Sequence, residues 1–596
     1  MAHVPPLTVL RVPDRTPPAS GAFDLRPRQV AEWIQALPLA SVGETARRVF
    51  HALQDINRLE ARPTERFGAL EQFREPLRFA DDALSRHYAH QSHPLSPKQR
   101  KIAELCRALQ LEMATGYKIV TLDSAGTPNP DPQLLATAVQ RALRYLTGVL
   151  LRSYRAYTPA PIGVWREIHA LHELAEVHGV QGTSVPDSEY HAVSTGTPRD
   201  AYQRVLLLAA ACPYRLRQGE HARLDTLLEG WAGSARLGAV GSARAAGGSG
   251  FVVDPDADQP PTYLRAVPAG DLDTCRALDT RALVTQLQHE MERLQEQPAQ
   301  PARRDPLDLG MLRRLAPVWG LISKRSFTRT TQASDAPVII GLHAVHHGLC
   351  KTGGHDVTGA VPRCGLAPGA IVDTRARFTS KVLPDRVGET PDVWDMVYER
   401  VDPKRGSAAV TVMLTPSPDE LERTTPVWRM KNLSAGGCCL LWGHGPSQVL
   451  VGELVAVGHQ SPGCALRWNV GVIRWMLAQG PDGLEIGIQL LSPGAQAGAL
   501  RVTAHPRTAQ PHHRALYLPG IQPVRQPPSL ITAPGVHAIE DTLTLVTATG
   551  EARIRLTGLL EDTGLFAQFL FDPEETGVPR DRTGSDTDFE SLWPIL

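Results

Sequence analysis

Two short polar motifs carry residue types suited to holding a phosphate-containing ligand. In the first, Arg325 and Arg329 are separated by three residues, directly before a segment of extended character. A planar guanidinium donates several hydrogen bonds to phosphate oxygens and can also stack on a purine face, which a lysine cannot do. Two such groups on one short segment can therefore enclose a compact dianion.

The second motif follows about one hundred residues later, between two further extended segments, and contains Asn432, Ser434, Gly436 and Gly437. The Asn432 amide and the Ser434 hydroxyl can read a guanine edge at a strand end. The two glycines permit positive φ and close approach of a ligand. Each motif also has an ordinary structural interpretation, because paired arginines often lie on a solvated helix face and a turn serine often caps its own backbone.

In their order and context, the two motifs resemble the PilZ family, whose signatures are Arg-x-x-x-Arg followed by Asp/Asn-x-Ser-x-x-Gly. Residues 471–475 and 486–491 are similar to the closing strands of the PilZ barrel. The resemblance implies an antiparallel β-barrel that binds cyclic di-GMP, without a cofactor, and couples binding to a helical region. It also implies the ligand-binding residues Arg325, Arg329, Asn432, Ser434, Gly436 and Gly437.

Two features depart from the family pattern. The gap between the motifs is long, which we interpret as an insertion at about 350–424, with one short element near 393–400 and a strand at 410–414. Asn432 takes the place that aspartate can occupy, which keeps an acceptor but loses the charge that favours guanine N–H donors. The alternative is a degenerate PilZ scaffold or chaperone-like interaction module that does not bind nucleotide.

The first half of the chain has the periodicity of amphipathic helices. Ser96, Pro97 and Gln99 match a capping box, and the following apolar residues recur at three-and-four spacing. Successive helices with short breaks predict a bundle or an irregular helical-repeat array, and such surfaces usually bind proteins. We therefore expect a protein partner to bind this helical region.

The second half changes to the period of strands. Leu484, Ile486, Ile488 and Leu490 alternate with polar or small residues, as in a strand with one buried face. A similar alternation near 542–556 predicts a second, small β unit.

The fold class is thus multidomain α+β. The predicted parts are a flexible terminus at 1–26, a helical domain at 27–232, a junction with helices at 233–323, a PilZ-like barrel at 324–500, a β unit at 501–572 and a tail at 573–596.

Charge and composition exclude several other classes of protein. Lys plus Arg equals Asp plus Glu at 62 each, so no basic field exists to attract nucleic acid. The amino terminus lacks the apolar core of a signal peptide, and the most apolar run, 205–212, is too short to span a bilayer. Eight cysteines in 596 residues are sparse and suit a reducing compartment. We expect a cytoplasmic protein.

The candidate catalytic and metal-binding patterns are incomplete. His172 and Glu173 resemble the start of a zinc-protease helix, but Glu176 occupies the place of the second histidine, so we expect His169 and His172 on a helix surface or at a partner contact. No Gly-x-Ser-x-Gly elbow occurs. One group of thiol and imidazole side chains has the ligand types that zinc or copper prefers: His343, His346, His347, Cys350, His355 and Cys364. Their spacing is not that of a tight metal site, and we expect them at the end of a strand and in a Gly-rich loop. We therefore predict neither an enzyme nor a metal site.

Overall fold

A computed structural model describes most of the chain in two compact units. The described residues are 9–241, 250–267, 272, 274–296, 309–320, 329–352, 426–443, 448–459, 466–480, 483–502, 512–522 and 525–574. The first unit contains the described residues up to 320, and the second contains those from 329 onwards. The predicted elements at 393–400 and 410–414, and most of the predicted insertion, lie outside the described residues.

The first unit is mainly helical. Its helices are α1 (Pro27–Gln35), α2 (Val42–Arg58), α3 (Pro63–Ser85), α4 (Pro97–Ala125), α5 (Pro132–Arg155), α6 (Val164–Val177), α7 (Pro198–Ala210), α8 (Glu220–Trp231), α9 (Arg281–Glu296) and α10 (Leu309–Gly320). The capping box at Ser96 is confirmed, since its hydroxyl accepts from the Gln99 N–H and the Gln99 side-chain oxygen accepts from the Ser96 N–H. Helices α4 and α5 bury most of their length in one apolar core. The predicted helical amino-terminal region is thus confirmed.

Short strands accompany these helices. The strands β1 (Val185–Pro186) and β2 (Thr195–Gly196) form a hairpin, and a four-stranded sheet in the order β3-β6-β4-β5 contains β3 (Arg236–Ala239), β4 (Phe251–Val253), β5 (Thr262–Tyr263) and β6 (Arg276–Asp279). The amino-terminal segment also contacts the helices, because the Arg11 N–H and the buried Lys118 ammonium both donate to the Glu167 carboxylate.

A buried carboxylate fixes the β1–β2 hairpin to the helices. Asp187 is fully enclosed and forms ion pairs with Arg74 of α3 and with Arg141 and Arg144 of α5, the last two at 2.9 and 3.2 Å. Burial alone would raise the pKa of Asp187, but the three guanidinium groups outweigh it and hold the pKa at about 2. These ion pairs hold the hairpin on the helices together with Val185 of β1, which is buried in the helical core.

The second unit begins with a closed six-stranded barrel in the order β10-β11-β12-β9-β8-β7. The strands are β7 (Thr330–Ile340), β8 (Val427–Ser434), β9 (Gly437–Trp442), β10 (Leu454–His459), β11 (Arg467–Ala478) and β12 (Leu484–Ser492), all antiparallel to their neighbours. Leu484, Ile486 and Ile488 are buried as the alternation predicted, whereas Leu490 is only half-buried. This arrangement confirms the predicted antiparallel barrel.

A second closed barrel completes this unit, in the order β13-β14-β15-β18-β17-β16. Its strands are β13 (Gln496–Val502), β14 (His513–Leu518), β15 (Ser529–Thr532), β16 (Thr542–Thr547), β17 (Gly550–Asp562) and β18 (Ala567–Pro573). A helix, α11 (Leu342–Thr352), follows β7, and its buried Val345 packs with residues of both barrels, including Trp468 and Phe566. The predicted small carboxy-terminal β unit is thus a barrel that shares a core with the first.

Candidate functional site

The last residue of the first motif lies beside the second motif, at one end of the first barrel. Strand β7 begins at Thr330, immediately after Arg329, and pairs antiparallel with β8 so that Thr330 lies opposite Leu433 and Thr331 opposite Asn432. Arg329 is exposed. The structure therefore brings Arg329 beside the end of β8 despite the long sequence gap. Arg325 lies outside the described residues.

The second motif forms the hairpin between β8 and β9. Ser434 is the last residue of β8, Gly437 is the first of β9, and Gly436 lies in the turn between them. The Ser434 hydroxyl donates to the Gly437 carbonyl oxygen at 2.9 Å. The serine thus fixes the turn itself, while its oxygen keeps lone pairs that can accept from a ligand.

Asn432 lies at a β-bulge, where the pairing of β8 with β9 shifts between Met430 and Asn432. Its side chain is partly enclosed, and its Oδ1 is buried without a hydrogen-bond partner among the described residues. A buried acceptor without a donor costs roughly 1–3 kcal/mol. A ligand that brings an N–H group to this oxygen would remove that cost.

Gly437 is required by the barrel itself. Its φ is not positive, so the expected use of positive φ is wrong at this position. A Cβ at Gly437 would instead press against the carbonyl oxygen of Ile488 in the neighbouring strand β12. The Leu490 N–H of β12 also donates to the Gly436 carbonyl oxygen at 3.2 Å. The close approach that Gly437 allows is thus between two strands.

An ion pair lies next to this hairpin. Lys431 contacts Glu485 at 3.1 Å, and Glu485 also accepts from the Cys439 thiol and from Gln479, at 3.2 and 2.8 Å. Burial alone would raise the pKa of Glu485, but these hydrogen bonds and the Lys431 charge lower it overall. Burial raises the pKa of Cys439 to about 12, so its thiol is neutral and a poor nucleophile.

Two polar residues near the hairpin were not singled out from the sequence. Gln489 of β12 pairs with Gly437, and Arg474 of β11 donates from Nε to the Gln489 side-chain oxygen at 2.7 Å. Arg474 falls in the segment that resembles a closing strand, so its residue type was visible. Its outward direction depends on a bulge between Ile473 and Trp475, for which the sequence has no clear signal.

The histidines near 343–347 lie on helix α11, so their expected placement at a strand end and in a loop is wrong. His346 Nε2 lies 2.9 Å from the Gly498 carbonyl oxygen, and Cys350 lies 3.8 Å from the other ring nitrogen. His355 and Cys364 lie outside the described residues. Within the described part of the chain, no three His, Cys, Asp or Glu side chains are placed to hold a metal ion.

The expected surface position of His169 and His172 is also wrong. Both are buried: His169 Nδ1 lies 2.7 Å from the Tyr202 hydroxyl, and the His172 ring stacks on the Tyr202 ring at 4.0 Å between centroids. Burial is the largest effect on both imidazoles and lowers the pKa of each, that of His172 to about 3. These histidines therefore belong to the packing of α6 against α7.

Family models match nearly the whole chain in three consecutive parts. Residues 28–242 match the N-terminal domain of the cyclic-di-GMP receptor FimW, residues 250–497 match its middle PilZ domain, and residues 498–573 match its C-terminal β-barrel domain. The chain is also 30% identical, over 617 aligned residues covering 100% of both proteins, to the cyclic-di-GMP receptor FimW of Pseudomonas aeruginosa.

No solved structure matches the chain. Among the helices that the structure describes, none combines the length and the apolar character that crossing a bilayer requires.

Proposed function

Because this chain belongs to the FimW family of cyclic-di-GMP receptors, we propose that its first barrel binds cyclic di-GMP and that the protein is a receptor without enzymatic activity. The observation that carries the proposal is the register of β7 with β8. It joins the end of the Arg-x-x-x-Arg segment to the Asn-x-Ser-x-x-Gly hairpin, although the two are far apart in sequence.

The arginine segment supplies the phosphate contacts in this proposal. Arg329 is exposed at the start of β7, where its guanidinium is accessible to a solute, and Arg325 precedes it by four positions. The two non-bridging oxygens of a phosphodiester match the paired donors of a guanidinium. Arg325 and Arg329 therefore bind the two phosphates of the ligand.

The hairpin supplies the contacts to the base. Asn432 Oδ1 is a buried acceptor without a partner in the described residues, and the guanine edge offers N–H donors that satisfy it. Ser434 adds an acceptor at the turn, Gly436 adds no side chain there that would cover the ligand, and Gly437 lets β9 lie close to β12. This division of roles explains why the arginines and the asparagine occur together.

We also propose that ligand binding is coupled to a protein partner of the helical region. The arginine segment follows the last helix of that region in the sequence, so a ligand held by this segment constrains the chain at the junction. A ligand shifts the balance between two conformations of the protein only by its difference in affinity for them, and a 100-fold difference amounts to about 2.7 kcal/mol. We also propose that the protein is located in the cytoplasm.

Calorimetric titration of the full chain with cyclic di-GMP tests the proposal. We expect saturable heat for the wild type and a loss of affinity of about 10- to 100-fold for Arg325→Ala and Arg329→Ala, because each removes hydrogen bonds to a charged group. Arg555→Ala is the matched control, since this arginine is half exposed on β17 of the second barrel. Its affinity should equal that of the wild type.

Two outcomes contradict the proposal in different ways. Absence of wild-type heat at high micromolar ligand favours a PilZ-like scaffold or chaperone-like module that binds proteins only. Wild-type heat that persists unchanged in both arginine variants refutes the assignment of the ligand site.

A further inference from the structure

An arginine outside both motifs projects from the first barrel towards the second. Arg474 lies in β11 where the pairing with β12 shifts between Ile473 and Trp475, so it is the extra residue of a bulge. Its guanidinium donates to both carboxylate oxygens of Glu561, at 2.6 and 2.9 Å, while its Nε donates to Gln489. All three kinds of nitrogen in this side chain are thus engaged.

The partner carboxylate also lies at an irregularity. The pairing of β17 with β18 shifts between Leu559 and Glu561. Because bulges redirect side chains, the two irregularities aim Arg474 and Glu561 at each other across the two barrels. The pair is not sealed from solvent: the side chains are 25% and 17% exposed, so a solute can reach them.

The Arg474 side chain is connected to the motif hairpin through one residue. Gln489, which accepts from Arg474, pairs with Gly437 at the start of β9. Neighbouring strands lie roughly 4.8 Å apart, so Gln489 is one strand away from the turn that contains Gly436. Gln489 is exposed whereas its neighbour Ile488 is buried, which places Gln489 on the outer face of the barrel.

A carboxylate and a phosphodiester present the same pattern to a guanidinium. Each offers two oxygens that accept parallel N–H bonds, and both carry negative charge. Glu561 therefore occupies, at Arg474, the position that a phosphate would take. Glu561 and an added phosphate therefore compete for the paired N–H groups of Arg474.

We propose that Arg474 is a third arginine of the cyclic di-GMP site and that Glu561 holds it when no ligand is bound. This inference rests on the proposed receptor function and deepens it. A phosphate of the ligand displaces the Glu561 carboxylate, with Gln489 keeping the guanidinium aligned beside the hairpin. The exchange frees the β17 bulge, so the second barrel responds to the ligand.

Calorimetric titration of full-length variants with cyclic di-GMP tests this exchange. Glu561→Gln keeps the shape of the side chain but removes its charge, and we expect about tenfold tighter binding because the competitor is weakened. Arg474→Ala should weaken binding about tenfold. In the double variant the gain from Glu561→Gln should vanish, since the two substitutions act through one interaction.

The pair Arg501–Glu551 provides the matched control. It joins β13 and β17 of the second barrel at 3.2 Å, and both side chains are more exposed, at 41% and 57%. Glu551→Gln removes the same charge from the same barrel and should leave the affinity of the wild type unchanged.

The outcomes separate this inference from the proposed function. Wild-type binding that neither Glu561→Gln nor Arg474→Ala alters refutes the exchange and leaves a structural clamp between the barrels, with the receptor function intact. No heat from the wild-type chain refutes the receptor function and the exchange together. An equal gain in Glu551→Gln also refutes the exchange, because general charge would then explain the effect.

Discussion

Replacing Gly437 by alanine separates a structural role of this glycine from a ligand-binding role. A Cβ at this position meets the Ile488 carbonyl oxygen, which is backbone and cannot rotate away. Either β9 or β12 must shift. Because Gly437 pairs with Gln489 at the end of this ladder, the shift also strains the 3.2 Å hydrogen bond from Leu490 to the Gly436 carbonyl oxygen.

The expected loss of stability follows from three contributions. Overpacking of a well-packed site costs roughly 1–3 kcal/mol. Weakening one backbone hydrogen bond adds about 0.5–1.5 kcal/mol. Alanine restricts the unfolded chain more than glycine does, which offsets about 0.4–1 kcal/mol of this loss of stability. We therefore expect Gly437→Ala to lower the free energy of unfolding of the first barrel by about 2 kcal/mol without any ligand.

Amide hydrogen exchange in rising urea measures this change locally. Peptides from β9 and β12 report the opening of the first barrel separately from the helical unit. Gly443→Ala is the control: it follows β9 by one residue, and a Cβ there meets nothing within 4 Å. We expect the control to change stability by less than about 0.5 kcal/mol.

The opposite result would refute this reasoning. In that result, the amide hydrogens of β9 and β12 exchange at the wild-type rate in both Gly437→Ala and Gly443→Ala, while only Gly437→Ala loses affinity for cyclic di-GMP. In that case Gly437 is needed to admit the ligand. The close contact with β12 would then have no energetic importance.

Three further changes have expected outcomes. Asp187→Asn should lower the free energy of unfolding of the helical unit by about 3–5 kcal/mol in urea denaturation, because it leaves three enclosed arginines with only the Glu71 and Glu189 carboxylates. Glu32→Gln, which breaks an exposed pair, should cost under about 0.5 kcal/mol, and equal losses would contradict the role of burial. Burial lowers the pKa of His221 to about 3, whereas the imidazole has a pKa near 6.5 in the unfolded chain. The folded protein therefore keeps His221 neutral, and the free energy of unfolding falls as the pH drops below about 6.5, where the unfolded chain takes up a proton. Between pH 7 and pH 5 the wild type should therefore lose about 2 kcal/mol more stability in thermal or urea unfolding than His221→Gln. Equal losses of stability in the two proteins would contradict this expectation. Asn432→Ala should weaken cyclic di-GMP binding in calorimetry yet leave the free energy of unfolding unchanged or higher, since it removes an unpaired buried acceptor; a stability loss above about 1 kcal/mol would indicate a structural role instead.

Regular elements with strong local signals could be predicted from the sequence. The capping box at Ser96 and the alternation in 484–488 report features that depend on nearby residues only, and the structure contains both. The small carboxy-terminal barrel was predicted only as a β unit. Closure depends on pairing β13 with β16 and β15 with β18, which joins strands that are not neighbours in sequence.

The errors concern residues whose environment is set by distant parts of the chain. Helix α11 was missed, although Gly341 with its positive φ marks the end of β7, because the helix is short and its burial depends on both barrels. His172 is buried by Tyr202 of a different helix, which no local pattern indicates. For the candidate site, the motif residues were predicted by resemblance. The contact of Arg474 with Glu561 was not, because two bulges direct it.

Closure of both barrels limits how another protein can recognise this unit. In each described barrel every strand has two hydrogen-bonded neighbours, so open edges are confined to strand ends that extend past one neighbour, such as the start of β7. Recruitment by β-strand addition, in which main-chain hydrogen bonds provide affinity with little regard to side chains, is therefore restricted to those strand ends. Elsewhere on the two barrels, a binding partner must recognise side chains on the barrel faces or in the connecting loops.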